Sequence, residues 1–118
     1  MKNSLNSIWL VLGLVCSMWP VAPAFAAAPA ESVVYKKVDG RELKLFIEKP
    51  AGWQATDKRP AIVFFFGGGW VAGSPNQFRL QSEYFASRGL VGIRVEYRVI
   101  PKGDQGPPTV CGQDAKSA

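Results

Sequence analysis

Histidine is absent from all 118 residues. That removes the side chain whose unperturbed pKa lies nearest neutrality and the commonest nitrogen ligand for a metal. Acid–base work must therefore fall to another residue type or to residues beyond Ala118. Cysteine is scarce as well, with only Cys16 and Cys111, too few for a disulfide framework. Positive charge is present but not gathered: outside the pairs Lys36-Lys37 and Lys58-Arg59 the basic residues are scattered. A formal net charge of +5, from 14 Lys and Arg against 9 Asp and Glu, thus lacks the one-faced concentration that a nucleic-acid surface needs, and no nucleic-acid partner is expected. No apolar run reaches the roughly 20 residues that span a bilayer comfortably. Internal repeats and low-complexity tracts are missing too.

What is present begins with a leader. Residues 1–7 carry Lys2 and polar side chains, 8–19 are apolar, and 20–28 are rich in alanine and proline. This is the order of a secretory signal peptide, with Ala24-Phe25-Ala26 as the small-x-small cleavage pattern. The expected division is residues 1–26 as signal peptide and 27–118 as the mature domain. An uncleaved amino-terminal anchor is the alternative. Cleavage would remove Cys16, leave Cys111 as the single thiol, and leave no stable membrane insertion. The expected location is secreted or periplasmic.

Past a short tether, residues 33–38 and 43–48 read as strands joined through Asp39-Gly40, a turn pair suited to tight hairpins because both positions tolerate positive φ. Residues 50–60 form a polar loop in which Trp53 is expected to pack back on the sheet. Residues 61–66, Ala-Ile-Val-Phe-Phe-Phe, are apolar without interruption and read as a strand buried on both faces, as in parallel sheets. Ser74-Pro75-Asn76 suits a helix entry. Residues 76–88 carry a stripe of Phe78, Leu80 or Gln81, Tyr84, Phe85 and Arg88, closed by Gly89. Residues 90–97 alternate Val91, Ile93 and Val95 with Gly92, Arg94 and Glu96, a second strand. Residues 98–108 are a Gly- and Pro-rich loop, and 109–118 begin another helix. Strand, glycine loop, helix, strand is a βαβ unit, and ligands of such sheets bind at the carboxyl ends of the strands. With about 90 residues after the leader, the chain is expected to be the first part of a longer α/β protein.

The carboxyl end of the apolar strand is Gly67-Gly68-Gly69-Trp70-Val71-Ala72-Gly73-Ser74. Three glycines in a row sacrifice packing and backbone entropy, which makes sense where bare N–H groups must approach a ligand. A phosphate-cradling P-loop has its glycine spacing in Gly68 and Gly73, but Ser74 stands where lysine is required. A dinucleotide fingerprint is met in form by Gly67 to Ala72, with Glu96 as the ribose acid, yet the helix starts late and Trp70 would crowd a pyrophosphate. An oxyanion hole needs two or more preset N–H donors and no Cβ in the way, and a loop after the third strand supplies them in α/β-hydrolases. A purely structural reading, in which the glycines let the loop pass beneath the sheet, also stands.

Phe-Phe-Gly-Gly-Gly-Trp-Val-Ala-Gly-Ser at 65–74, Glu-Tyr-Arg-Val at 96–99 and Asp-Ala at 114–115 together resemble the amino-terminal part of exported α/β-hydrolases of the esterase/lipase group, in pattern the acetyl- and feruloyl-xylan-esterase-like members. The resemblance implies a partial α/β-hydrolase fold, a parallel sheet with an antiparallel amino-terminal hairpin. It implies a serine hydrolase acting on small-molecule or polysaccharide esters without cofactor or metal. Carried over to this sequence, Gly68 and Gly69 would be the oxyanion donors, Gly67 the turn and Trp70 a wall of the acyl pocket. Arg98 and Asp114 would form a structural ion pair. The sequence departs from the family in having Phe66 where histidine usually precedes the glycines. None of Ser74, Ser82, Ser87 or Ser117 is flanked as a nucleophile elbow, and no nucleophile is nominated, so the chain alone is expected to be inactive. A non-catalytic binding module is the alternative.

Overall fold

A computed structural model describes residues 29–104 and 106–118. The leader read at residues 1–26, with Cys16, lies outside the described residues.

The hairpin forms where its turn chemistry predicts. Asp39 and Gly40 take φ of 51° and 74°, the left-handed pair that matches the twist of two antiparallel strands. Strand β1 (Glu31–Val38) pairs antiparallel with β2 (Arg41–Glu48), with a bulge between Val34 and Lys36. Strand β3 (Ala61–Phe65) pairs parallel with β4 (Val91–Val95), and β2 pairs antiparallel with β4. The sheet order is β1-β2-β4-β3. The expected parallel sheet with an antiparallel amino-terminal hairpin is present in part, as a mixed sheet in which β3 and β4 are the parallel pair and the hairpin joins them through β2.

Burial corrects the reading of β3 as covered on both faces. Among the described residues it lies at an edge of the four-stranded sheet, and alternate residues are open: Val63 is 48% exposed and Phe65 44%. Successive side chains point to opposite faces, and Phe64 points to the covered one. Its ring lies 5.4 Å from Phe78 and 6.2 Å from Phe85. Contacts of that kind are worth about 0.5–1.5 kcal/mol beyond area burial.

The expected helix over 76–88 is two elements, a 3-10 turn at Pro75–Phe78 followed by α1 (Arg79–Ser87). Pro75 sits at the start, where its missing N–H is no loss. The buried stripe also differs from the one predicted. Ser82 and Ala86 are buried while Leu80 and Tyr84 are exposed. Side chain size explains this: a Cβ at Gly92 of β4 would collide with Ser82, so the helix packs close through small residues and turns its bulk outward.

Beneath this close contact lies a buried polar cluster. Arg94 is 3% exposed and Glu48 1%. The Arg94 Nε donates to Glu48 Oε1 at 2.9 Å, Nη2 donates to the same oxygen, and the Ser82 hydroxyl donates to Glu48 Oε2 at 2.5 Å. Arg94 Nη1 also reaches the Pro75 carbonyl oxygen at 3.3 Å and Asn76 Oδ1 at 3.1 Å. One guanidinium thus fastens β2, β4 and the 3-10 turn together.

Trp53 is half-buried, with the Lys49 ammonium 4.2 Å from its ring centre. Helix α2 (Thr109–Ser117) closes the described chain. Among the described residues no helix is long and apolar enough to cross a membrane.

Candidate functional site

The site grows out of the end of β3. The backbone turns through Gly68 (φ 144°), Gly69 (φ 62°), Trp70 (φ 69°) and Gly73 (φ 118°). Positive φ is open to glycine at little expense but unusual for a bulky residue, so Trp70 needs restraint. It has it: the Trp70 carbonyl accepts from the Ile100 N–H at 2.9 Å and lies 3.9 Å from the Cys111 sulfur. Gly68 and Gly73 are required sterically as well. A Cβ at Gly68 would strike the Ala72 carbonyl oxygen, and one at Gly73 the Gly67 carbonyl oxygen and the Phe66 ring. Inside the loop the Gly68 carbonyl accepts from Val71 at 3.3 Å and Ala72 at 3.2 Å.

The floor is aromatic. Phe66 and Tyr97 stack with ring centres 4.0 Å apart and planes 8° from parallel, and the Tyr97 hydroxyl donates to the Phe66 carbonyl. Cys111 completes this core, with Phe78, Val99, Ile100 and Val110 packed against it. Phe66, at the position where the family pattern carries histidine, supplies packing here; its carbonyl, not its side chain, holds a hydrogen bond. Burial raises the Tyr97 pKa, with Cys111 adding to it, so the phenol stays protonated and remains a donor.

Gly67, Gly68, Gly69 and Trp70, with Phe66 and Tyr97, line an open depression of about 250 Å³. Trp70 is half-exposed at its rim, its ring centre 6.4 Å from that of Tyr97. Of the three glycines, Gly67 gives its N–H to Gln77 Oε1 at 2.6 Å. Among the described residues the Gly68 and Gly69 N–H groups donate to nothing. Tyr97 and Gln77 were missed in the sequence because one looked like the end of a strand and the other like an ordinary helix residue. No local spacing ties either to the loop.

The dinucleotide arrangement is not made. The helix opens at Pro75 rather than at the glycines, and Glu96 is engaged by Arg41 Nη2 at 2.9 Å.

The expected ion pair is formed and is larger than a pair. Asp114 is fully buried. It accepts from Arg98 Nε at 2.8 Å, Arg98 Nη2 at 3.1 Å, the Arg98 backbone N–H at 3.1 Å and Lys36 Nζ at 2.7 Å. Arg98 also reaches Asp39 at the hairpin turn, at 3.0 Å. Burial alone would push the Asp114 carboxyl up, but hydrogen bonds from Arg98 and Lys36 outweigh it and hold its pKa at about 2. This cluster pins α2 to the end of β4 and to the hairpin, next to the core under the glycine loop.

Comparison with known proteins finds likeness to esterases. No family model matches. Esterase 2 of the planctomycete Thermogutta terrifontis superposes with a TM-score of 0.68 and 57% sequence identity, over 75% of this chain and 31% of that one. A probable isoprenylcysteine alpha-carbonyl methylesterase from rice is 29% identical over 82 residues, 70% of this chain and 18% of the rice protein. A tuliposide A-converting enzyme from Tulipa gesneriana is 29% identical over 85 residues, 70% of this chain and 22% of that enzyme. These likenesses support the α/β-hydrolase esterase family. The chain spans about a third of the solved esterase and about a fifth of the two plant relatives.

Proposed function

We propose that this chain carries the oxyanion-binding part of a carboxylic-ester hydrolase acting on short acyl esters. The observation behind the reading is the pair of unpartnered N–H groups of Gly68 and Gly69 on a depression walled by Trp70 and floored by Phe66 and Tyr97. In ester hydrolysis the carbonyl oxygen gains charge as the tetrahedral intermediate forms. Two fixed donors in a partly apolar wall stabilise that charge without reorganising, and removing one such donor typically costs about 10²–10³ in kcat. Trp70 would bound the acyl group and Gly67 would make the turn.

Structures of the Thermogutta esterase with propionate and with butyrate bound favour a short acyl chain. The export reading of residues 1–26 adds acylated polysaccharide as a substrate class that such an enzyme would meet. In the reaction class a serine attacks and a histidine shuttles the proton. The 118 residues hold no histidine and no elbow-flanked serine, so the chain alone is expected to turn over no ester.

Titration of the isotope-labelled chain with sodium butyrate tests the donor assignment without needing a nucleophile. The Gly68 and Gly69 amide resonances are expected to move saturably, while Gly52, in the loop before β3, stays in place. Uniform, non-saturating drift of all glycines would overturn it.

A further inference from the structure

Three adjacent glycines offer three N–H groups, and something must decide which of them face a ligand. From the structure we infer that Gln77 is the positioning residue of the glycine loop: its amide oxygen takes the Gly67 N–H and so leaves Gly68 and Gly69 as the donor pair. This inference rests on the oxyanion reading above and specifies how that donor set is chosen.

The geometry has two parts. The first is the contact itself, Gly67 N–H to Gln77 Oε1 at 2.6 Å, between residues ten apart in sequence. The Gln77 oxygen also lies where a Cβ on Gly67 would meet it, at 3.7 Å, so the side chain lies against the bare glycine. Gly67 is exposed, and without this acceptor its N–H would bond to water. What the amide adds is a fixed peptide orientation at the first of three residues that have no side chain of their own to restrain them.

The second part is what fixes Gln77. It sits in the 3-10 turn at Pro75–Phe78, its own N–H given to the Ser74 carbonyl at 3.1 Å. That turn is clamped from below by Arg94, through the Pro75 carbonyl and Asn76 Oδ1. Arg94 is in turn held by Glu48 on β2. A rigid buried ion pair therefore orients the turn, the turn orients Gln77, and Gln77 orients Gly67. Phe78, next along, is seated against the Phe66–Tyr97 core, which holds the same turn from the other side.

The choice of glutamine rather than glutamate also has a physical reason. Both accept a hydrogen bond, but a carboxylate beside the loop would set a negative charge next to the place where the oxyanion forms. The neutral amide accepts without that repulsion.

The test compares the chain with Gln77→Met and Gln77→Glu, by amide hydrogen exchange and by sodium butyrate titration read at Gly67, Gly68 and Gly69. Gln77→Met keeps the volume and removes the acceptor. Gly67 exchange is expected to rise roughly three- to tenfold, the loss of one ordinary hydrogen bond. Butyrate affinity at Gly68 and Gly69 falls by a similar factor, and Gly67 begins to respond to the ligand. Gln77→Glu is expected to restore Gly67 protection while still weakening butyrate, an effect smaller at high salt. A change in fold alone would move neither readout selectively, and the restored protection in Gln77→Glu excludes it. Unchanged Gly67 exchange in Gln77→Met, or unchanged butyrate affinity with lost protection, would overturn the inference. Absence of any butyrate response in the unaltered chain would instead remove the oxyanion reading. The exchange comparison would then still decide whether Gln77 holds Gly67.

Discussion

Lowering the pH towards 2 should remove the stability that the buried Asp114 cluster contributes. Asp114 has an ordinary carboxyl pKa near 3.8 when unfolded and about 2 in the folded chain. A depressed folded pKa means that the unfolded state binds the proton more readily. The contribution to stability is then fully present above pH about 4 and is lost as pH falls through about 2. At about 1.4 kcal/mol per pH unit of difference, the contribution is on the order of 2 kcal/mol at neutral pH. The side chain is wholly buried and its partners Arg98 and Lys36 are 18% and 26% exposed, so screening removes little of this. Urea unfolding followed by tryptophan fluorescence at a series of pH values from 6 to 2 would measure it. The denaturation free energy should fall by that amount across the window, and Asp114→Asn should flatten this part of the profile while lowering stability at neutral pH. A profile for Asp114→Asn with the same acid slope as the unaltered chain would refute the assignment, since the slope would then belong to other carboxylates.

The Arg94–Glu48 pair gives a second outcome. Removing one partner leaves a buried charge without its counter-ion, so Arg94→Met or Glu48→Gln alone should cost about 3–5 kcal/mol, whereas the double replacement should cost markedly less than the sum. Additive losses in a urea double-mutant cycle would show that the two side chains act independently. For catalysis, the purified 118-residue chain should hydrolyse p-nitrophenyl acetate no faster than buffer. Measurable turnover abolished by Gly68→Leu would contradict that expectation and call for a nucleophile within these residues.

Much of the architecture is legible in local pattern. Asp39-Gly40 announces its hairpin because positive φ at both positions is a property of those residues and not of their surroundings. The apolar run ending in Gly67 marks a strand that stops, and Pro75 with Gly89 brackets the helical region, each through its own backbone chemistry. Arg98 and Asp114 were paired through family resemblance, and the contact is present. Where pattern misled, the cause lies in neighbours distant in sequence. The uninterrupted apolarity of residues 61–66 matched a strand covered on both faces, whereas among the described residues β3 lies at the sheet edge with Val63 and Phe65 open. The helical stripe favoured Leu80 and Tyr84, but Gly92 on β4 admits only small side chains against it, and Ser82 and Ala86 take the buried positions.

The sequence by itself determined that a bare-backbone loop follows a strand and precedes a helix, because glycine, proline and apolar period act within a few residues of themselves. Tertiary structure alone decided which parts of that loop are free. Gln77 binds Gly67 across ten residues, and Arg94 reaches Glu48 across 46 to hold the turn that carries Gln77. Hydrogen bonds and ion pairs depend on where side chains meet after folding. That Gly67 is bonded while the Gly68 and Gly69 N–H groups are not is thus a product of packing, in a loop whose position the sequence announces.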